Sequence, residues 1–329
     1  MSKVGFSVII ACSHSEDSLK ATMCALRELD YPQILEVIVI DDGTREGREA
    51  VARGAAGEGL PVRYLSLSGF SRGAAWNIAV RESSGDYMGF LDDDCLPPPG
   101  WMNAFRTAFD EWTVGVVGGP DRAPADASLF QRCLEYVLTS FIGTLGMRTG
   151  LSRVARYYPR PWNMAASKES LRCAGGFDED SPEAPEVSMI RRLERIGYSA
   201  AYQPEALVWH RRETSLAGFI SRDFRLGMER GRGISQPGIG KVYAAASVLL
   251  VALLALAVTP RFHDFSLYLL IPVVSVYALA LALSGLHATI LTRTPAAAIF
   301  VPFLLATHHA AHVAGYTIGR LLVRHRRGD

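Results

Sequence analysis

The 329-residue chain is predicted to be an α/β protein in which a doubly wound domain with a mostly parallel central sheet precedes C-terminal transmembrane helices. Three observations predict it. Short apolar runs rich in β-branched residues alternate with helical segments up to Leu91. Two of those runs end in adjacent aspartates. Beyond Val242 the only acidic residues are Asp264 and Asp329, set among long uncharged stretches.

Phe6 to Cys12 is a buried strand of the kind a sheet covered on both faces shows. Its apolar run is too short for a signal peptide and lacks a cleavage site. Glu16 to Leu29 follows with Leu19, Met23, Leu26 and Leu29 at helical spacing. Leu35 to Ile40 is a second buried strand, closed by Asp41-Asp42-Gly43, and Arg45 to Ala56 is a helix. Val62 to Leu67 reads as a third strand and Arg72 to Glu82 as a helix. Tyr87 to Leu91 reads as a fourth strand, closed by Asp92-Asp93-Asp94. Ligands of open α/β sheets sit beyond the carboxyl ends of the strands, so both acidic clusters are expected in one crevice.

Val114 to Gly119 is expected as a further strand, and Ser128 to Leu151 as an apolar amphipathic helix, in the core or on a membrane surface. Asn163 to Tyr202 is polar and mixed. Leu207 to His210 reads as a last strand and Ser215 to Arg232 as a basic amphipathic helix. These divide the chain into an α/β domain over 1–235 and a membrane domain over 236–329. The membrane domain holds two or three spans at about 242–259, 265–291 and 296–323. Three spans would put Arg324-His325-Arg326-Arg327 outside, against the positive-inside tendency.

The formal net charge of +1 gives no bias toward nucleic acid. Five scattered cysteines without a C-x-x-C pair argue against a disulfide framework or structural zinc and fit a reducing compartment. The apolar runs hold no acidic coupling residue, which disfavours a transporter.

Three consecutive carboxylates at a strand end repel one another unless something positive sits there. Oxygen-rich sites suit hard cations such as Mg²⁺ and Mn²⁺, which bridge a diphosphate. A solvated turn ahead of Pro97-Pro98-Pro99 is the alternative. Asp42 could accept from a base N–H or a ribose hydroxyl, or could serve as an Asx turn or helix cap. Arg72-Gly73-Ala74-Ala75 opens a helix whose small residues let an anion approach, with Arg72 adding charge. His210 ends the strand ALVWH and reads equally as a metal or diphosphate contact or as a hydrogen-bonded structural histidine. His308, His309 and His312 share a helical face and read as interhelical polar contacts before a metal site.

Six segments together resemble family 2 glycosyltransferases of the GT-A fold: SVIIACSHSEDSLKATMCAL, LEVIVIDDGT, RGAAWNIAV, GDYMGFLDDDCLPPPGW, NMAASKESLRCAGGFDED and EVSMIRRLERIGYSAAYQPEALVWH. The resemblance covers Phe6 to Arg232. The tail RRETSLAGFISRDFRLGMERGRG with the following apolar runs is similar to the exopolysaccharide, succinoglycan-glucosyltransferase type. The resemblance implies a metal-dependent, inverting transferase, with Mn²⁺ or Mg²⁺ as cofactor. It implies a UDP- or GDP-sugar donor, a lipid-linked acceptor, and a multi-pass protein of the inner membrane with a cytoplasmic catalytic domain. Donor contacts would come from Asp42, Arg72, Asp92, Asp93 and the backbone from Ala11 to Ser13. Asp94 and Asp92 would be the outer members of the metal-binding D-x-D, with His210 nearby. Asn163 to Ala165 and Gly175 to Asp178 would line the acceptor side. Glu186, or else Glu183, would be the base. Here the chain departs from the family: Pro185-Glu186 stands for the usual acidic pair, Ala11 for Pro, His14 for Asn, and Arg72 for Lys. A polyprenyl-phosphate transferase is the rival enzyme reading, and a non-catalytic membrane scaffold is the rival of another class.

Overall fold

A computed structural model describes residues 5–144, 157–180, 184–212, 215–233 and 263–326. By internal contacts the chain forms two units. The first is Met1–Asp126 with Arg148–Ser152 and Arg156–Arg212; the second is Ala127–Met147 with Arg153–Ala155 and Glu213–Asp329.

The first unit is built on a seven-stranded sheet. β1 (Phe6–Cys12) is buried along its whole length, because an apolar run with no polar face suits the centre of a sheet. It lies parallel between β2 (Ile34–Asp41) and β4 (Tyr87–Asp92). β3 (Val62–Ser66) flanks β2, which makes one half of the sheet the order 3-2-1-4. The connecting helices are α1 (Glu16–Arg27), α2 (Arg48–Ala56) and α3 (Arg72–Glu82). Ser15 and Ser71 cap α1 and α3 through their hydroxyls, which fixes where each helix starts.

Beyond β4 the pattern changes. β8 (Asn163–Ser167) inserts antiparallel between β4 and β6 (Val114–Gly118), and β9 (Ser199–Tyr202) closes the sheet. The sheet is therefore mostly rather than wholly parallel. The segment from Asn163, read as polar and mixed in the sequence, contains this buried strand. Its small residues, NMAAS, have weak strand propensity, and position in the sheet overrides that preference. Two further helices, α4 (Trp101–Glu111) and α8 (Pro185–Arg195), cover the sheet, and α7 (Lys168–Cys173) follows β8.

A second, three-stranded sheet joins β5 (Cys95–Leu96), β10 (Val208–His210) and β7 (Asp121–Arg122). It is short, and its register places His210 opposite Cys95 and Val208 opposite Asp121. Segments more than eighty residues apart in the chain are thereby held at the end of β4.

The second unit contains α5 (Leu129–Thr139), α6 (Phe141–Thr144), α9 (Leu216–Arg232), α10 (His263–Thr292) and α11 (Ala297–Arg326). α5 and α6 fall within the stretch expected as one amphipathic helix. Among the described residues, Leu270–Thr292 and Ala297–Val323 are long and apolar enough to cross a membrane. The run Val242 to Val258, expected as another span, lies outside the described residues.

Candidate active site

Strand register carries both acidic clusters to the same edge of the sheet. Asp41 stands opposite Cys12, and Asp92 stands opposite Ala11. The carboxyl ends of β2 and β4 therefore flank the end of β1, with Ser13 and His14 between them.

At β2 the two aspartates have separate surroundings. Asp41 is buried, bonded to Arg48 and to the Tyr64 hydroxyl at 2.6 Å. The Asp42 side chain is 44% exposed at the rim. Its Oδ1 accepts from Thr44 N (3.0 Å), Thr44 Oγ1 (2.6 Å) and Arg48 Nη1 (2.9 Å). Burial would raise the Asp42 carboxyl, but the Thr44 and Arg48 bonds outweigh it and hold it below the usual carboxylate range. Arg48 is fully buried and also donates to the carbonyls of Cys12 (3.3 Å) and His14 (2.8 Å). It ties the second strand end to the first loop. Sequence reading passed over this arginine, since nothing in the helical pattern of α2 marks its first residue as inward-facing.

At β4 the three carboxylates diverge. Asp92 is bonded through both oxygens to Arg72 Nη2, each at 3.2 Å, and Arg72 lies over the Trp76 ring with 5.3 Å to its centroid. Asp93 is fully buried and points back toward β1. It accepts from Ser13 N (3.2 Å), His14 N (3.0 Å) and His14 Nδ1 (2.6 Å), and its own N–H donates to Ala11 O at 3.1 Å. Asp93 thus shapes the backbone from Ala11 to His14. The bond to Asp93 is the largest influence raising His14, to about 9, so the ring is cationic at neutral pH. His14 Nε2 in turn lies 3.6 Å from Asp94.

Asp94 faces His210, with Oδ2 to Nε2 at 3.1 Å. The other ring nitrogen of His210 lies 3.1 Å from Asp121 Oδ2, which is also bonded to Arg212. A neutral imidazole has one N–H and can donate to only one of these two carboxylates. One added proton, on the ring or on a carboxyl group, satisfies both contacts, and a cation taken up between Asp94 and the ring would do the same at that side. Burial pulls His210 down, but the charge of Asp94 and the bonds to both aspartates outweigh it and raise it. Burial likewise pushes Asp94 up, and the charges of His210 and His14 outweigh it, holding the carboxyl well below its usual range.

Asp94, Cys95 and His210 bring one donor atom each within 4.8 Å of one another. Burial, helped by the neighbouring Asp94, keeps the Cys95 thiol well above its usual pKa and therefore protonated. The donor set left for a cation is carboxylate oxygen with imidazole nitrogen, which fits Mn²⁺ and, through its oxygens, Mg²⁺.

Glu186 occupies the first turn of α8 and is 1% exposed. One oxygen accepts from Arg160 Nη1 at 3.2 Å; the other, Oε2, has no hydrogen-bond partner among the described residues. Burial raises this carboxyl above the usual glutamate range, against the lowering charges of Arg160 and Arg72. Arg72 is held charged chiefly by Asp92, then by Glu186 and Asp94, so the three carboxylates lie within electrostatic reach of one guanidinium. Glu183 lies outside the described residues.

The Gly175 to Asp178 loop is anchored beside α3. Asn77 accepts from Phe177 N at 2.8 Å and donates to Phe177 O at 3.2 Å, while the Phe177 ring packs on Trp76 at 5.0 Å. Gly176 has φ +77°, and a Cβ there would run into the Asn77 amide, so glycine is required. Asn163, expected on the acceptor side, is buried. It accepts from Trp101 Nε1 (2.8 Å) and donates to the carbonyls of Pro120 and Ala206 (2.7 Å each).

Comparison with known proteins agrees with this architecture. The pre-mycofactocin glycosyltransferase of Mycobacterium tuberculosis is 28% identical over 221 residues, 66% of this chain and 44% of that relative; the chain thus spans less than half of its length. The succinoglycan biosynthesis protein ExoM of Rhizobium meliloti is 26% identical over 241 residues, 70% of this chain and 75% of the relative. Among solved structures, the mannosyltransferase PcManGT of Pyrobaculum calidifontis, in complex with GDP-Man and Mn²⁺, superposes with a TM-score of 0.61. That match has 20% identity and covers 98% of this chain and 88% of the other, a likeness of fold. The family model for glycosyl transferase family 2 matches residues 7–171, just over half of the sequence. With the sheet order, the paired acidic strand ends and this match together, the chain belongs to glycosyl transferase family 2, on the GT-A fold.

Proposed function

We propose that the chain transfers a sugar from a nucleotide-sugar donor to a hydroxyl of a membrane-associated, lipid-linked acceptor, with inversion, in polysaccharide or glycolipid synthesis. The observation that carries this reading is the Glu186 carboxylate, buried, with one oxygen unbonded among the described residues, sharing Arg72 with Asp92 and Asp94. A base needs a free lone pair and a raised pKa near the diphosphate site, and Glu186 has both features.

In this reading Asp42 receives the nucleobase or ribose at the exposed rim of β2. The backbone from Ala11 to Ser13, held by Asp93, lines the same pocket. Asp94 and His210 hold a divalent cation, Mn²⁺ or Mg²⁺, with Asp92 on the ribose or the cation. Such a cation, when bound, neutralises the charge that develops on a nucleoside diphosphate leaving group. The mannosyltransferase structure with GDP-Man and Mn²⁺ and the succinoglycan relative motivate the donor class and the acceptor class. Arg72 adds a fixed positive charge for the diphosphate, and Trp76 and Asp92 hold it in place. Glu186 accepts the proton of the attacking hydroxyl. Asp121 and Arg212 keep the His210 ring oriented. The catalytic unit is assigned to the cytoplasmic side of the inner membrane, where nucleotide sugars are made.

The test is a panel of UDP- and GDP-sugars with purified protein in detergent, comparing wild type with Glu186→Gln. Transfer that collapses in the variant while donor binding persists supports a hydroxyl acceptor. Full activity in both Glu186→Gln and Glu183→Gln would point instead to an acceptor already ionised, such as a polyprenyl phosphate.

A further inference from the structure

In the loop after β1, His14 is fixed at three points. Its N–H donates to Asp93 Oδ2 at 3.0 Å, its carbonyl accepts from Arg48 Nη2 at 2.8 Å, and its ring Nδ1 lies 2.6 Å from Asp93 Oδ1. Asp93 is held in turn. It is fully buried and accepts from Ser13 N and Cys12 Sγ at 3.2 Å each. The Thr22 hydroxyl bonds the carbonyls of Asp93 (3.0 Å) and Cys95 (2.9 Å), which pins the turn that follows β4. A ring clamped at Nδ1 has only Nε2 to offer. The His14 side chain is 45% exposed, and Nε2 faces Asp94 Oδ2 from 3.6 Å, too far for a hydrogen bond.

The same construction stands on the other side of Asp94. His210 Nε2 lies 3.1 Å from that same Oδ2, and His210 Nδ1 lies 3.1 Å from the buried Asp121. Two imidazoles, one from the loop after β1 and one from the end of β10, thus present Nε2 to a single carboxylate oxygen. Each is oriented through Nδ1 by a separate buried aspartate. A carboxylate behind the far nitrogen is the usual support of a metal-bound histidine, because it fixes the tautomer and raises the basicity of the ligating nitrogen. The neighbouring Asp92 is engaged through both oxygens by Arg72, and so offers a cation less than the His14 ring does.

We infer that His14 Nε2 is a third protein ligand of the cation held by Asp94 and His210, with Asp93 as the residue that positions it. This rests on the proposed cation site and adds a residue to it. Without a cation, the proton on the His14 ring faces Asp94; a divalent ion takes the place of that proton. Two imidazoles and one carboxylate make a softer donor set than three adjacent aspartates suggest. Mg²⁺ prefers oxygen ligands and keeps its waters, whereas imidazole nitrogen suits transition ions. The site therefore selects Mn²⁺ or Co²⁺ over Mg²⁺.

The test uses the full-length protein in detergent with Mn²⁺ and either UDP or GDP, and it reads the metal rather than transfer. Electron spin-echo modulation of the bound Mn²⁺ should show coupling to two imidazole nitrogens in wild type and to one in His14→Asn. Mn²⁺ affinity should fall by about ten- to a hundredfold in that variant at unchanged melting temperature, and the preference for Mn²⁺ over Mg²⁺ should shrink with it. One imidazole in wild type, or an affinity and preference untouched by His14→Asn, would overturn the inference and leave Asp94 and His210 as ligands. Absence of Mn²⁺ binding in wild type would overturn the inference together with the cation site. If His14→Asn fails to fold, the nitrogen count in wild type decides alone.

Discussion

The two acidic strand ends differ in how their charge is balanced. At β2, Asp41 and Asp42 share one internal cation, Arg48, which is fully buried and bonded to both. At β4, Asp92 has Arg72 at the rim, Asp93 is consumed by backbone N–H groups and His14, and Asp94 is left against histidines. Arginine cannot give up its charge, so the balance of two carboxylates against one guanidinium at the β2 end is fixed. Histidine can lose its proton, so the charge balance at the β4 end is not fixed in the same way. Three aspartates in a row thus have three different surroundings: Arg72 for Asp92, the Ser13–His14 backbone and ring for Asp93, and the His210 ring for Asp94.

The largest effect should come from the β4 end. Asp94→Asn should lower cation-dependent transfer by about 10³-fold or more, read as kcat with saturating donor, while the melting temperature changes little. Retained kcat would make the two ends equivalent and break the comparison. Next, Glu186→Gln should lower kcat by about 10²–10⁴-fold with donor affinity kept. Because burial raises Glu186, the acid limb of the wild-type kcat profile should lie above the ordinary glutamate range. Activity rises with pH as this base loses its proton, and the limb should vanish in the glutamine variant.

Arg48→Met tests the β2 end through stability. Removing one member of a buried pair leaves Asp41 uncompensated, at a cost of about 3–5 kcal/mol, read by denaturant melting. Mn²⁺ should not rescue the loss if Arg48 acts only as a scaffold. The smallest change is expected for Asp42→Asn, at the exposed rim. Donor KM should rise by about tenfold with kcat kept, since one hydrogen bond to a charged group is weakened.

Much of this frame was legible in the sequence where local chemistry decides it. β1 and β2 announce themselves as apolar runs that only a covered sheet accommodates. α3 begins where Ser71 caps it and ends at Glu82, as its composition implied. What could not be read depends on distance along the chain. Asp121 and Arg212 meet His210 only because β5, β7 and β10 form a small sheet of two- and three-residue strands too short to carry a pattern. β8 is hidden because Asn163 and two alanines look irregular until flanking strands supply the hydrogen bonds. The grouping of carboxylates was visible, but their division of labour was not. The direction in which Asp93 points is set by the N–H groups of Ser13 and His14, eighty residues earlier.

The central claim is that the two strand ends form one donor pocket whose function depends on a cation at Asp94. Titration calorimetry of UDP and GDP into the purified protein, with and without Mn²⁺, for wild type and Asp94→Asn, tests it most directly. The account predicts binding of at least one nucleotide that requires Mn²⁺ in wild type and is lost in the variant at unchanged melting temperature. Binding of equal strength without the cation, or unaffected by Asp94→Asn, would contradict it.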